Sequence, residues 1–172
     1  MMQFNVAHLL KEPVGTIQYH TLDTTFEPLG ETGTNLVYGQ LQFMHVTDGI
    51  WVSGTLESDA VCACSRCLKG FRLTLQLAFD EIYLPVVDII TSAPLPLPDD
   101  ADHSFVIDDH HILDVTEIVR QSAIVTLPMK PLCQPDCTGL CHECGSDRSQ
   151  VPCACQSAER DARWAPLSRL LS

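Results

Sequence analysis

The residues of this chain best suited to chemistry are its nine cysteines, six of which fall between Leu132 and Cys155. A thiolate is a nucleophile, a redox centre and a soft metal ligand. Disulfides, bound metal and thiol redox chemistry therefore compete to explain the cluster. The cysteines come in close pairs. Cys64/Cys67 and Cys141/Cys144 have the C-x-x-C spacing; three residues separate Cys133 from Cys137, and one separates Cys153 from Cys155. A C-x-x-C turn aims two sulfurs at one point, and a tetrahedral zinc ion takes four, each at about 2.3 Å. Four pairs make two complete sets. The preferred grouping is Cys64, Cys67, Cys133 and Cys137 for one ion, and Cys141, Cys144, Cys153 and Cys155 for a second, closed within fifteen residues. Gly145, directly after Cys144, eases the turn. Other arrangements stay open. Cys133, Cys137, Cys141 and Cys144 can form one site by themselves, and four thiolates suit an iron–sulfur cluster as well as zinc. An odd number of cysteines fits a disulfide framework poorly. Cys62, two residues before Cys64 in an apparent strand, reads as a packed side chain. No βαβ pattern surrounds Cys64–Cys67, which argues against thioredoxin-like use.

Other polar groups read as ordinary surface. Asp108–His111 is a solvated loop face, and His142 is a spacer inside its turn. Arg66, between the first two cysteines, could touch a phosphate or bond a thiolate or carboxylate. His8, His20, His45 and His103 are isolated. No phosphate-cradling glycine loop, nucleophile elbow or acid/base pair is present. The chain is therefore expected to be no enzyme and to have no small-molecule substrate.

The elements that must position the thiols form a β-rich body. Gly15–Leu22 and Leu36–Val46 alternate as half-buried strands, and Gly30–Asn35 is a loop. Asp48–Gly49 signals a hairpin. The return strand over Ile50–Cys64 places Ile50, Val52, Gly54 and Leu56 on one face. Phe71, Leu73, Leu75, Leu77 and Phe79 then alternate with polar residues, the cleanest period-two pattern in the chain. Cys64 and Cys67 thus fall in the turn between two antiparallel strands. Thr91–Ser104, rich in proline and aspartate, predicts an exposed loop. Residues 105–112 predict a short edge strand. Asp114–Pro128 predicts a helix packed on the sheet, capped by Asp114 and Glu117 as a capping box. Val115, Ile118, Val119, Ser122 and Ala123 lie along one side, Ile124 and Leu127 widen the apolar surface, and the helix stops near Leu127, before Pro128. The expected fold class is α+β: antiparallel strands with one main helix over residues 1–129, and a cysteine-rich, zinc-ribbon-like tail over 130–172. The terminal run holding Trp164, Leu167, Leu170 and Leu171 beside Arg160, Arg163 and Arg169 reads as a short packed helix or a stub for a partner.

Charge narrows the function. Asp and Glu number 22 against 10 Lys and Arg, a net charge of −12. Residues 1–61 carry one basic and seven acidic groups, residues 62–129 four and ten, and residues 130–172 five of each. Each zinc held by four thiolates adds two negative charges, which takes the loaded chain from −12 to −16. Nucleic-acid binding draws on neutralised phosphates, and no basic stripe is present. Basic proteins are the natural partners of such a surface. No apolar run is long enough to span a bilayer. The start, MMQFNVAHLLKEP, lacks the pattern of a secretory signal, so a reducing, cytoplasmic location is expected, where clustered thiols favour metal.

CSRCLKGF, then PLCQPDCTGLCHECG, CAC and DARWAPLSRL together resemble the bacterial YceD-like proteins over roughly residues 1–170. Cys64 and Cys67 match that family's first pair. Cys133, Cys137, Cys141, Cys144, Cys153 and Cys155 match its cysteine-rich tail. The resemblance implies a role in accumulation of large-subunit (23S) ribosomal RNA and brings no catalytic residues with it. Set beside the acidity, it suggests binding to a basic ribosomal protein or assembly factor, with limited contact to an rRNA precursor left open through Arg148, Arg160, Arg163 and Arg169. A zinc- or redox-responsive binding protein is the alternative.

Overall fold

In the computed structural model, residues 2–26, 35–98, 102–148, 153 and 155 are described. Seven strands form one sheet: β1 (Gln3–Asn5), β2 (Ile17–Phe26), β3 (Asn35–Val46), β4 (Gly49–Ala63), β5 (Gly70–Pro85), β6 (Val106–Ile107) and β7 (Ile112–Asp114). Their spatial order is β1-β7-β6-β5-β4-β3-β2. Strands β2 to β5 form a long antiparallel meander, whereas β6 lies parallel to β5, with Leu84 opposite Val106. The chain is thus β-rich, with a single α-helix among the described residues, α1 (Thr116–Thr126). None of its described helices is long and apolar enough to cross a membrane.

Alternation decides the layers. On β4, Ile50, Val52, Leu56, Ser58 and Ala60 point inward and are buried; on β5, Leu75, Leu77 and Tyr83 join them. Each large apolar side chain taken from water contributes about 1.5–3 kcal/mol. The sheet curls, so that Phe4 of edge strand β1 lies 5.0 Å from the His20 ring of edge strand β2 and 5.1 Å from Phe43. Helix α1 closes the concave side with Ile118, Val119 and Ala123, in the same core as Leu75, Leu77 and Tyr83.

Several expectations need correction. The strand predicted near residues 105–112 is two short strands, and β6 is interior, between β7 and β5. The edge belongs to β1, which pairs with β7 and sets Gln3 opposite Asp114, 111 positions on. Between β6 and β7 Asp108 caps the turn, accepting from the His110 and Ile112 N–H groups at 2.9 and 2.7 Å, so Asp108–His111 shapes a loop, as its composition suggests. The capping box is half present. Asp114 accepts from the Thr116 N–H at 2.8 Å, but Glu117 binds Arg120 and Gln121 instead of reaching back. Ile124 is 40% exposed, so the helix buries a narrower stripe than its composition suggests. Gly49 is already paired with Val46, so the hairpin turns at Thr47–Asp48. Glycine is needed there because any Cβ would stand 2.1 Å from the Tyr83 carbonyl oxygen. Of the loop over Thr91–Ser104, the part up to Pro98 is tied down by a Val87–Pro94 bridge. Residues 30–34 of the first predicted loop and the run with Trp164 lie outside the described residues.

Candidate metal centre

Strands β4 and β5 end in a tip, Cys64–Lys69, beyond the last pair Ala63–Gly70. The Cys64 N–H donates to the Lys69 carbonyl and the Leu68 N–H to the Cys64 carbonyl, both at 2.9 Å. The same knuckle recurs in the tail. The Cys141 N–H donates to the Ser146 carbonyl at 2.8 Å, and the Gly145 N–H to the Cys141 carbonyl at 2.9 Å. In each knuckle the residue after the second cysteine is left-handed, Leu68 with φ 60° and Gly145 with φ 72°. That turn folds the chain back and leaves both sulfurs on one side.

The second arm of the first site comes from the segment after α1. Pro128 ends the helix, and the chain runs to the hairpin tip, where the Ser65 N–H donates to the Pro131 carbonyl at 2.8 Å. Arg66 donates through Nη1 to the Cys137 carbonyl at 2.7 Å, and its own carbonyl accepts from the Leu140 N–H at 3.2 Å. Arg66 therefore fastens the tail to the tip. Gly139, with φ 74°, lies so close that a Cβ there would stand 3.0 Å from the Arg66 carbonyl oxygen. Phe71, Leu132 and Leu140 pack around Cys64, Cys67 and Cys137.

The fold brings together Cys64, Cys67, Cys133 and Cys137, and separately Cys141, Cys144, Cys153 and Cys155. Within each set all four sulfurs lie within 4.8 Å of one another. In the first set the Cys64–Cys137 and Cys67–Cys133 sulfurs are 3.8 and 3.7 Å apart; in the second, Cys144–Cys153 and Cys141–Cys153 are 3.6 and 3.3 Å apart. A disulfide would need about 2.05 Å. A tetrahedron with bonds of about 2.3 Å has edges near 3.8 Å. The donor sets thus fit one tetrahedral ion each. They do not form the single set of Cys133, Cys137, Cys141 and Cys144. Cys62 belongs to neither set: it packs against the core, and burial pushes its thiol up. His142 sits 3.3 Å from Glu143, largely in solvent.

Electrostatics within the sets point the same way. Backbone N–H groups, that of Cys133 foremost and that of Cys67 next, lower the Cys64 thiol to about 6. Burial, with the neighbouring thiols, pushes Cys133 up to about 12. In the second set the Ser146 hydroxyl, 3.0 Å from the Cys144 sulfur, lowers that thiol to about 6, while Cys153 and Cys144 push Cys155 up to about 12. Four thiolates so close cannot all ionise without a cation among them. The sites differ in exposure: Cys64, Cys67 and Cys137 are buried, whereas Cys144 and Cys155 are exposed. The sequence reading missed the supporting groups Ser146, Gly139 and the Pro131 carbonyl. A glycine two residues past Cys137 and a serine two past Cys144 are their only sequence trace.

At the opposite end of β4 and β5, an open cleft of about 660 Å³ is lined by residues that include Leu10, His45, Ile89 and Pro96. It brings together no thiol or other set of metal-binding groups among the described residues.

Comparison with known proteins places these features. No solved structure matches the chain. Uncharacterized proteins of Mycobacterium tuberculosis and Mycobacterium bovis are 29% identical over 182 aligned residues, covering 99% of this chain and 81% of the relative. One from Mycobacterium leprae is 26% identical, covering 98% and 77%. The family model described as large ribosomal RNA subunit accumulation protein YceD matches residues 52–171. That span takes in the hairpin tip and all eight thiols of the two sets, and the chain belongs to the YceD family.

Proposed function

We propose that the chain is a non-enzymatic factor in biogenesis of the large ribosomal subunit, with Cys64, Cys67, Cys133 and Cys137 holding one zinc ion and Cys141, Cys144, Cys153 and Cys155 a second. The observation that carries this reading is the pair of closed four-sulfur sets in a chain of the YceD family. Four protein ligands leave no open position for a substrate or an activated water, so the metal's chemistry is cross-linking. A multi-iron cluster puts its cysteines on separate irons, which sulfurs within 4.8 Å of one another do not suit. Residues 1–129 form the acidic body and 130–172 the metal-dependent tail. With a net charge of −12, the chain works by binding a basic ribosomal protein or assembly factor in a reducing cytoplasm. Sedimentation tests this. The tagged protein should run with large-subunit precursors, and cells lacking it should accumulate less large-subunit rRNA. Normal rRNA levels together with a protein only at the top of the gradient would refute it.

One observation favours a second, redox-responsive reading: the exposure of Cys144 and Cys155. On that reading oxidation would empty the second set and alter partner binding.

A further inference from the structure

The convex face of the β2–β5 meander carries side chains that neither the core nor the metal sets use. Register places Ile17 beside Met44, Met44 beside Trp51, and Trp51 beside Ile82, so one apolar row crosses all four strands. Tyr19, one inter-strand row away, is 71% exposed, and Ile17 and Ile82 are 41% and 44% exposed. Helix α1 lies on the other side, within the core that contains Leu75, Leu77 and Tyr83. Among the described residues no helix covers the convex face.

Its charge is one-sided. Asp23, Glu57, Asp59 and Asp80 stand on the same outward positions, and Arg72 is the only base among them. Tyr38 donates to Glu57 at 2.5 Å and Thr74 to Asp59 at 2.9 Å, which fixes two of these carboxylates in place. A phosphate backbone would meet four carboxylates there. A lysine or arginine would find carboxylates for its charge, and for its aliphatic stem the Tyr19 and Trp51 rings. Four strands spaced about 4.8 Å apart span only about 14 Å, a width suited to one segment of a partner.

We propose that this face docks a lysine- and arginine-rich protein segment, its apolar side chains on the Ile17–Ile82 row and its cations on Asp23, Glu57, Asp59 and Asp80. The proposal rests on the ribosome-assembly reading and names the surface that reading leaves open. It is tested with the full-length protein in cells by Tyr19→p-benzoylphenylalanine photocrosslinking. Val125→p-benzoylphenylalanine is the control, at a site 84% exposed on α1. The expected result is an adduct from position 19, absent from position 125, to a peptide rich in lysine and arginine. Its yield should fall at least about tenfold in the Asp23→Lys, Asp80→Lys background, with the circular dichroism spectrum unchanged. An adduct to RNA, to a second copy of the chain or to its own residues 156–172 would overturn the proposal. So would no adduct. If unmodified protein sediments with precursors while position 19 yields nothing, only this face is wrong. If a basic adduct forms without precursor association, the face stands and the assembly reading falls.

Discussion

Replacing Cys64 with serine should cost far more stability than replacing Cys144, because the two sets close very different lengths of chain. The first joins Cys67 to Cys133, 66 positions apart. Treated as a cross-link in the unfolded chain, a loop of that length contributes about 4 kcal/mol at 25 °C. The second joins Cys141 to Cys153, 12 positions apart, and spans nothing of the sheet. Its closure contributes roughly 3 kcal/mol, but to its own turn alone. Domains are stable by about 5–15 kcal/mol in total, so the first loss is a large fraction. At about 2–4 °C per kcal/mol for a chain of this size, Cys64→Ser should lower Tm by roughly 8–16 °C. The buried position adds to the effect, since a serine hydroxyl there would lie among Phe71, Leu132 and Leu140. Cys144→Ser should leave the sheet's melting within about 2 °C of the parent, as expected of a site outside the cooperative body. Far-UV circular dichroism melts of reduced, metal-loaded protein decide it. Equal shifts for the two variants, or a Cys64→Ser shift under about 3 °C, would refute the cross-link argument.

Three further outcomes follow from the same geometry. Leu68 is exposed and left-handed where the tail knuckle has Gly145, so Leu68→Gly should relieve backbone strain of about 1 kcal/mol and raise the urea midpoint, minus some gain in unfolded-state entropy. Under a limiting chelator or dilute hydrogen peroxide, metal release should be biphasic, the fast ion coming from the second set, where Cys144 and Cys155 are exposed; Cys144→Ser should remove the fast phase and Cys64→Ser should not. Hydrogen bonds from Arg120 and Gln121 lower Glu117 from 4.5 to about 2, so its contribution is present above pH 4.5 and lost as pH falls towards 2. Glu117→Gln should therefore flatten that part of the acid limb, by no more than about 0.5 kcal/mol because the pair is partly exposed, as read from urea midpoints against pH.

The meander was legible because alternation is local. Phe71 to Phe79 and Ile50 to Leu56 each carry their own inward face, and the structure buries or half-buries those positions. Strand β1 was not legible. Three residues show no period, and the partner of Gln3 is Asp114, found only by folding the whole chain. Apolarity also misleads on β2: Ile17 and Tyr19 face out, while Gln18, His20, Leu22 and Thr24 face in, because the curl brings Phe4 and Phe43 onto His20. The end of helix α1 was readable from Pro128 to within a residue, since the helix closes at Thr126 with Leu127 as its cap. Its exposed Ile124 was not, since composition does not say how wide a stripe of the helix the sheet covers, and here the core takes Ile118, Val119 and Ala123. At the candidate site, spacing revealed the pairs because each knuckle is a local turn. The contacts that hold the distant arm, Arg66 to Cys137 and Leu140, cross some seventy positions and leave no pattern in sequence.

On the proposed reading two ions, each held by four sulfurs, tie the hairpin tip to the tail and build the tail's own knuckle. Metal-edge X-ray absorption on the reduced protein, normalised to protein concentration, counts the ions and their ligands together. Two zinc ions per chain are expected, each with four sulfurs at about 2.3 Å and no nitrogen or oxygen shell. Substoichiometric metal, or a shell with fewer than four sulfurs, would rule out the paired four-sulfur sites.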